Sequence, residues 1–277
     1  MSATVHRGMP DAAYRALPGL SVSELLNMRR SAAHYRYWLK RPREDTADMR
    51  LGRALHTAVL EPAAFDSRHP VYTGRTRSGK GWLDFVAAHP AAGEDNILTA
   101  DAAADVRVMA AAVMAHPHAG PLVRALSDVE LSIEFARAGR PCKARLDGLL
   151  QDGWDTKRSG AVVFELKTSR FGEERRFASD AWERAYHVRG AWYCGALTEA
   201  GIQCERHVTV AVDKQEPPEV AVYEYEPDVL FEGGAIAARL LDSLRVCEIE
   251  NHWPTAHESG IRRLDRPRWA NYEESDE

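Results

Sequence analysis

Cysteine is scarce in this sequence: only Cys142, Cys194, Cys204 and Cys247 occur among 277 residues, far apart and without a CxxC pair. That spacing excludes a zinc ribbon or a locally ligated iron–sulfur cluster, and it leaves free thiols in a reducing compartment as the expectation. Long hydrophobic runs are also missing. No segment approaches the ~20 consecutive apolar residues of a membrane span, and the opening MSATVHRGMPDAAYRALPG lacks the apolar core of a secretory signal. A cytoplasmic protein with no membrane partner is expected. Positive charge is not in excess either, with 36 Lys and Arg against 41 Asp and Glu, a net charge of −5 and a pI near 6.1. A globally basic nucleic-acid binder is thereby excluded, whereas a local basic face is not. Gly79-Lys80 lacks the preceding glycine and spacing of a Walker A loop, so ATP use is not indicated. There is no internal repeat.

The sequence is otherwise that of an ordinary globular protein, 45% hydrophobic and 28% charged, and long enough for a single sizeable domain. Residues 1–19 read as a loose, polar leader. Ser21-Val22-Ser23-Glu24 has capping-box form and opens a helix expected to run to about Leu39, stopped by Pro42. Met49, Leu51, Leu55, Val59 and Leu60 mark a second helix ending at Glu61-Pro62. Residues 66–100 are mixed, and Arg75-Thr76-Arg77-Ser78-Gly79-Lys80 reads as a surface loop. An alanine-rich helix spans about 100–115, closed by His116-Pro117-His118.

Near Val129 the period changes from helical to alternating. Val129–Phe135 and Lys143–Leu150 predict a hairpin turned at Gly139, and after a turn-rich stretch, 152–160, Ala161–Thr168 is an apolar, β-branched run of central-strand type. A long helix over about 177–200, strands near 208–212 and 220–225, and a last helix over about 227–246 complete the order: helices, then βββαββα. Residues 255–277 read as a polar, acidic tail.

Alternation on a strand puts Glu165 and Lys167 on one face with Leu166 on the other. If Asp147 of the preceding strand lies beside them, two carboxylates and an ammonium converge. Adjacent carboxylates repel, and Mg²⁺ or Mn²⁺ relieves that repulsion while keeping positions open for water and phosphate. Such an ion activates water at a phosphoryl group, and a lysine can orient that water or offset the developing charge.

Asp147, seventeen intervening residues, and Glu165-Leu166-Lys167 resemble the Asp...(Asp/Glu)-x-Lys signature of the PD-(D/E)xK nuclease superfamily. Leu51-Gly52-Arg53-Ala54-Leu55-His56, Glu130-Leu131-Ser132, Cys142-Lys143-Ala144-Arg145-Leu146-Asp147, Phe164–Thr168, Tyr186-His187 with Ala191-Trp192-Tyr193, and Trp253-Pro254 follow in the order found in its exonuclease VIII (RecE-type) branch. The resemblance implies an α/β fold with a restriction-endonuclease-like core, its mixed central sheet flanked by helices and preceded by a helical portion. It implies one nuclease domain over residues 20–254, mainly helical over 20–125 and carrying the sheet over 126–254.

By the same resemblance, Asp147, Glu165 and Lys167 are catalytic. Mg²⁺, with Mn²⁺ as the alternative, is held by His56, Asp147, Glu165 and the Leu166 carbonyl, with Glu130 as a further ligand. Glu130 and Glu134 share one alternating face, and the resemblance favours Glu130. DNA is contacted by Arg189 and Tyr193, which lie at i and i+4 on one helical face, by Thr168, and by Arg75, Arg77 and Lys80 if these are more than a solvated loop. Arg189 stands where the branch carries glutamine, and Glu165 where close relatives have Asp. Arg170, Arg175 and Arg176 read as either a phosphate-tracking surface or a helix-start cluster, and Trp182 as core.

The implied activity is 5′ to 3′ degradation of duplex DNA from an end, leaving single strands for recombination. A homo-oligomeric ring and a single-strand annealing protein are the implied partners. Two rivals remain: a single-strand or flap nuclease of the CRISPR-associated or helicase-linked kind, and a catalytically silent DNA-binding protein with the same fold.

Overall fold

A computed structural model describes residues 3–41, 45–151, 154, 159–170, 173–258 and 260–266. Pro42, most of the turn-rich stretch after Gln151, and the tail beyond 266 lie outside them. In chain order the elements are β1 (Thr4–His6), α1 (Asp11–Ala16), β2 (Leu20–Ser21), α2 (Val22–Leu25), α3 (Ala32–Leu39), α4 (Ala47–Leu60), α5 (Phe65–Arg68), β3 (Val71–Tyr72), α6 (Gly79–Ala88), β4 (Leu98–Thr99), α7 (Ala100–Ala115) and α8 (Ala119–Arg124). They are followed by β5 (Asp128–Arg137), β6 (Arg140–Leu150), β7 (Ala161–Ser169), α9 (Glu174–Glu183), α10 (Tyr186–Glu199), β8 (Cys204–Asp213), β9 (Val220–Glu224) and α11 (Pro227–Glu250). The main sheet runs β1-β5-β6-β7-β8-β9, with β2 added on β6. Neighbours are antiparallel except β7 with β8 and β2 with β6, so the sheet is mixed, as expected.

Two apolar layers enclose it. Leu25, Tyr35, Val188, Trp192, Leu241 and Leu244 cover one face with α2, α3, α10 and α11, packing on Ile133, Leu146 and Val163. Leu55, Val59, Val106 and Val113 of α4 and α7 cover the other, against Phe164, Leu166 and Val210. β7 therefore feeds alternate side chains to opposite cores, which is why its sequence reads as an almost continuous apolar run. Where α10 and α11 meet, Gly233 lies so close that an added Cβ would stand 2.4 Å from the His187 carbonyl oxygen. Gly233→Ala is expected to cost about 1–3 kcal/mol through overpacking despite alanine's better helix propensity, read as a lower urea midpoint.

Several local expectations change. The stretch before Leu20 is not a bare leader: β1 pairs antiparallel with β5, and α1 follows. The Ser21–Glu24 capping box forms, but the expected continuous helix breaks after a 3-10 turn, because Ser31 caps a second helix by accepting from His34 N–H. α3 is then tied to the end of α11: Ala33 N–H donates to Pro254 O, and Tyr35 stacks on Trp253. The helix expected over 177–200 is two helices, parted by Ala185 in the left-handed region at φ 56°. Trp182, expected in the core, is 47% exposed. Phe177 and Ala181 form the inward stripe of α9, so Trp182 falls one position off that stripe and stacks on His187. The basic segment is only partly a loop, since Gly79-Lys80 opens α6.

Candidate metal centre

The centre arises from a distortion shared by β5 and β6. Val129 pairs with Gly148 and Leu131 with Leu146, so the register is the same on both sides of Glu130 and Asp147. Between them, Glu130 adopts φ 51°. Val129 packs with one core and Leu131 with the other, although two strand residues apart should face the same way. The left-handed residue thus inverts the alternation, sending Val129 and Leu131 into opposite cores and leaving the Glu130 side chain outside both. Such backbone strain costs of order 1–3 kcal/mol and is retained where surrounding structure enforces it.

At this point β6 also parts from β7. Their ladder covers Leu150–Val162, Leu149–Val163 and Gly148–Phe164 and goes no further towards Leu166. The backbone groups of Leu166 on the side of β6 are taken by side chains instead. Its N–H donates to Asp147 Oδ2 at 2.9 Å, and its carbonyl oxygen lies 2.8 Å from His56 Nε2. His56 Nδ1 is 3.5 Å from Asp147 Oδ1. α4 carries His56 here because Ala54, Leu55 and Val59 are buried in the core, and Gly52 lies beside Thr168.

Ligand atoms of His56, Glu130 and Asp147 all lie within 4.8 Å of one another. With the Leu166 carbonyl they offer three oxygen donors and one imidazole, a set that fits Mg²⁺ or Mn²⁺. His56 Nε2 and Leu166 O are in hydrogen-bond contact at 2.8 Å, and the ligand atoms would have to draw in around an ion at about 2.1 Å, whose opposite ligands stand about 4.2 Å apart. Burial, and then the charge of Asp147, raise the Glu130 carboxyl above its ordinary range, an acidity mismatch that a cation would relieve. Arg145 opposes this, its Nε donating to Glu130 at 2.6 Å while Nη1 reaches Met9 O and Ser132 Oγ.

Glu165, expected among the ligands, does not join this group. Its carboxylate lies on the α10 side, where Lys167 Nζ is 2.5 Å from Oε1 and His207 Nε2 is 3.0 Å from Oε2. Burial pushes its pKa up, but the Lys167 ammonium and His207 more than offset this and hold it well below the usual carboxylate range. Lys167 answers in kind: burial would neutralise it, yet Glu165 and Asp147 keep it protonated well above the usual lysine range. The ammonium also lies 5.6 Å from the Tyr186 ring centre. Nearby Tyr193 is raised to about 12 by burial and by Glu165, so it remains a neutral hydroxyl.

The expected DNA-contacting residues scatter. Arg189 Nη1 donates to Ser23 Oγ at 2.7 Å, tying α10 to α2. Arg77 Nη2 donates to Ile97 O, and Arg75 and Lys80 are exposed. Arg170 pairs with Asp48, which Lys214 also contacts, and Arg176 pairs with Glu173.

His207 is the site residue that sequence reading missed. Its one trace is a polar residue just before the mostly apolar Val208–Val212 half of β8, and only the parallel register, Val163 against His207 and Glu165 against Thr209, brings it to Glu165. His207→Ala is expected to destabilise the fold by about 2–4 kcal/mol, since it opens a cavity and removes a partner from a buried carboxylate. His207→Gln should recover part of that loss, as thermal unfolding would record.

A mixed sheet between helical layers, with an acidic-x-Lys strand beside an Asp- and His-bearing centre, is the architecture of the PD-(D/E)xK nuclease superfamily. The chain belongs to the family described as "PDDEXK-like domain of unknown function (DUF3799)", which it matches over residues 21–260. No curated protein matches it. Among solved structures, a "Putative exonuclease" from Eubacterium rectale aligns over 95% of this chain and 96% of its own, with a TM-score of 0.61 and 12% identity, and so shares the fold. A second, SSO0001, aligns over 82% of this chain and 87% of its own at 13% identity, but with a TM-score of 0.27. Among the described residues no helix is long and apolar enough to cross a membrane.

Proposed function

We propose that this protein is a divalent-metal-dependent exodeoxyribonuclease that hydrolyses linear duplex DNA from an end, 5′ to 3′, leaving single strands for recombination. The observation that carries this reading is the meeting of His56, Glu130 and Asp147 within 4.8 Å, beside the Leu166 carbonyl and the Glu165–Lys167 pair. The polarity, the recombination role, a ring-shaped homo-oligomer and a single-strand annealing partner follow from the likeness to RecE-type nucleases. When bound, Mg²⁺ or Mn²⁺ supplies Lewis acidity at the phosphoryl oxygen and acidifies a water molecule.

The chain's own groups do the rest. His56, Glu130, Asp147 and the Leu166 carbonyl would hold the ion, while Glu165, the further ligand the resemblance implies, is engaged by Lys167 and His207 beside them. Lys167 holds its proton, so it acts as a donor: it orients the attacking oxygen and offsets negative charge developing at phosphorus. A lysine kept so strongly basic is not a general base at neutral pH. Tyr193 offers a neutral hydroxyl beside the same pair. Arg189, the main support for a catalytically silent protein, is engaged with Ser23 and leaves the acidic groups intact.

The test is digestion of linear duplex labelled at either end, beside single-stranded and covalently closed circular DNA, with Mg²⁺ or Mn²⁺. Loss of label from 5′ ends with circles left intact is expected. Degradation confined to single strands supports the flap-nuclease alternative, whereas DNA binding without nucleotide release supports the silent one. Light scattering tests the ring, and a strict monomer at working concentration excludes it. Metal alone should raise the unfolding temperature: an ion at ~100 times its dissociation constant stabilises the native state by about 2.7 kcal/mol. An unchanged melting curve up to millimolar Mn²⁺ would remove the metal centre.

A further inference from the structure

At the far end of β5 and β6 from the metal centre, the strands turn through Ala138 and Gly139, both at positive φ. Arg137 lies seven positions after Glu130, roughly 20 Å along the strand. Between this turn and α11 lies a cleft of about 290 Å³ with Arg137, Arg140 and Arg245 in its wall. Asp242 is the acidic residue of that wall, and Glu248 pairs with Arg140. Three guanidinium groups thus face these two carboxylates, and Glu199 adds a third at longer range.

Arg137 is the unusual member. Its guanidinium lies 5.5 Å from the ring centre of the buried Trp192, and among the described residues its Nη1 is buried with no hydrogen-bond partner. Gly195 makes room for it: an added Cβ there would stand 3.2 Å from Nη1. Glu199 acts on Arg137 through space, without a hydrogen bond. A half-buried cation with an unpartnered nitrogen and a carboxylate only at a distance leaves part of its charge and hydrogen-bonding capacity for a ligand. The arginine fork suits an oxyanion, and in a cleft walled partly by Pro141 and Leu241 such contacts are stronger than in open solvent.

We propose that the cleft bounded by the β5–β6 turn and α11 is a phosphate-binding site served by Arg137, Arg140 and Arg245. Its phosphate comes either from a DNA backbone held roughly 20 Å from the point of cleavage or from free phosphate in solution. The DNA source rests on the nuclease reading above; the phosphate chemistry does not.

The test uses the whole chain and three variants outside the metal centre: R245Q, D242N and R137M. Inorganic phosphate, compared with chloride at equal ionic strength, should raise the unfolding temperature of the wild type. R245Q should abolish the rise, D242N should enlarge it, and R137M, which keeps an unbranched side chain over Trp192, should reduce it. A rise of equal size in wild type, R245Q and R137M, or no rise in any, overturns the proposal. Binding of a ~30-bp duplex without divalent metal then separates the sources. If the backbone occupies the cleft, R245Q lowers the slope of log affinity against log salt by about one. If phosphate stabilisation is lost while duplex binding and slope hold, the site takes free phosphate. A wild type that binds no DNA removes the nuclease reading and leaves the phosphate measurement to decide this one.

Discussion

Lys167→Ala is expected to lower the rate of nucleotide release from linear duplex by about 10²–10³-fold, the scale seen when one preorganised charge-stabilising donor is removed. The ammonium is fixed by Glu165 at 2.5 Å and remains charged because Glu165 and Asp147 outweigh its burial. Metal binding at His56, Glu130 and Asp147 does not use Lys167, so metal-induced stabilisation should survive while turnover falls. That split separates a lysine acting on the reaction from one that merely holds the fold.

Stability needs its own control. Removing the ammonium leaves Glu165, 4% exposed, with His207 alone, and breaking a buried ion pair costs about 3–5 kcal/mol. The double variant Lys167→Met, Glu165→Gln removes both charges and should regain most of that stability without regaining activity. If it regains activity, Lys167 has no chemical role. The pair also predicts an acid limb. Because the folded state holds the Glu165 carboxyl below its unfolded value, its contribution is complete above the ordinary carboxylate range and is lost as pH falls through and below it. Glu165→Gln should flatten that limb in acid unfolding curves.

Asp147→Asn carries the second large effect: loss of the metal-induced rise in melting temperature and a fall in metal affinity of about 100-fold or more. That exceeds or matches the loss typical of groups that only support a ligand. Asparagine keeps an oxygen to accept the Leu166 N–H, so strand separation beyond Gly148–Phe164 should persist and the fold should hold. The carboxylate charge is what disappears, and with it the repulsion that raises Glu130. Calorimetric titration with Mn²⁺ measures this directly. An undiminished affinity would mean that Asp147 serves only to cap the Leu166 backbone.

Much of this protein was legible along the chain. β7 announces itself through β-branched apolar residues that feed two cores, and the Ser21–Glu24 box, α4, α7 and the hairpin strands follow from local periodicity and capping. Breaks were harder to see. Ser31 restarting a helix and Ala185 turning left-handed are choices that neighbouring packing makes against locally helical sequence. Trp182 shows the same limit, since whether an aromatic is inside depends on which stripe of α9 meets the sheet.

The chemistry divides in the same way. The residue types, their order, and the shared face of Glu165 and Lys167 are consequences of sequence and strand alternation. The position of Asp147 beside Leu166, the reach of His56 from α4, and the contact of His207 with Glu165 are not. They depend on the register of strands distant in sequence, on Glu130 reversing the alternation of β5, and on β6 leaving β7 just where the Leu166 backbone needs new partners. Those are decisions of the assembled sheet, because a backbone N–H or C=O released from one ladder must find its next partner in three dimensions.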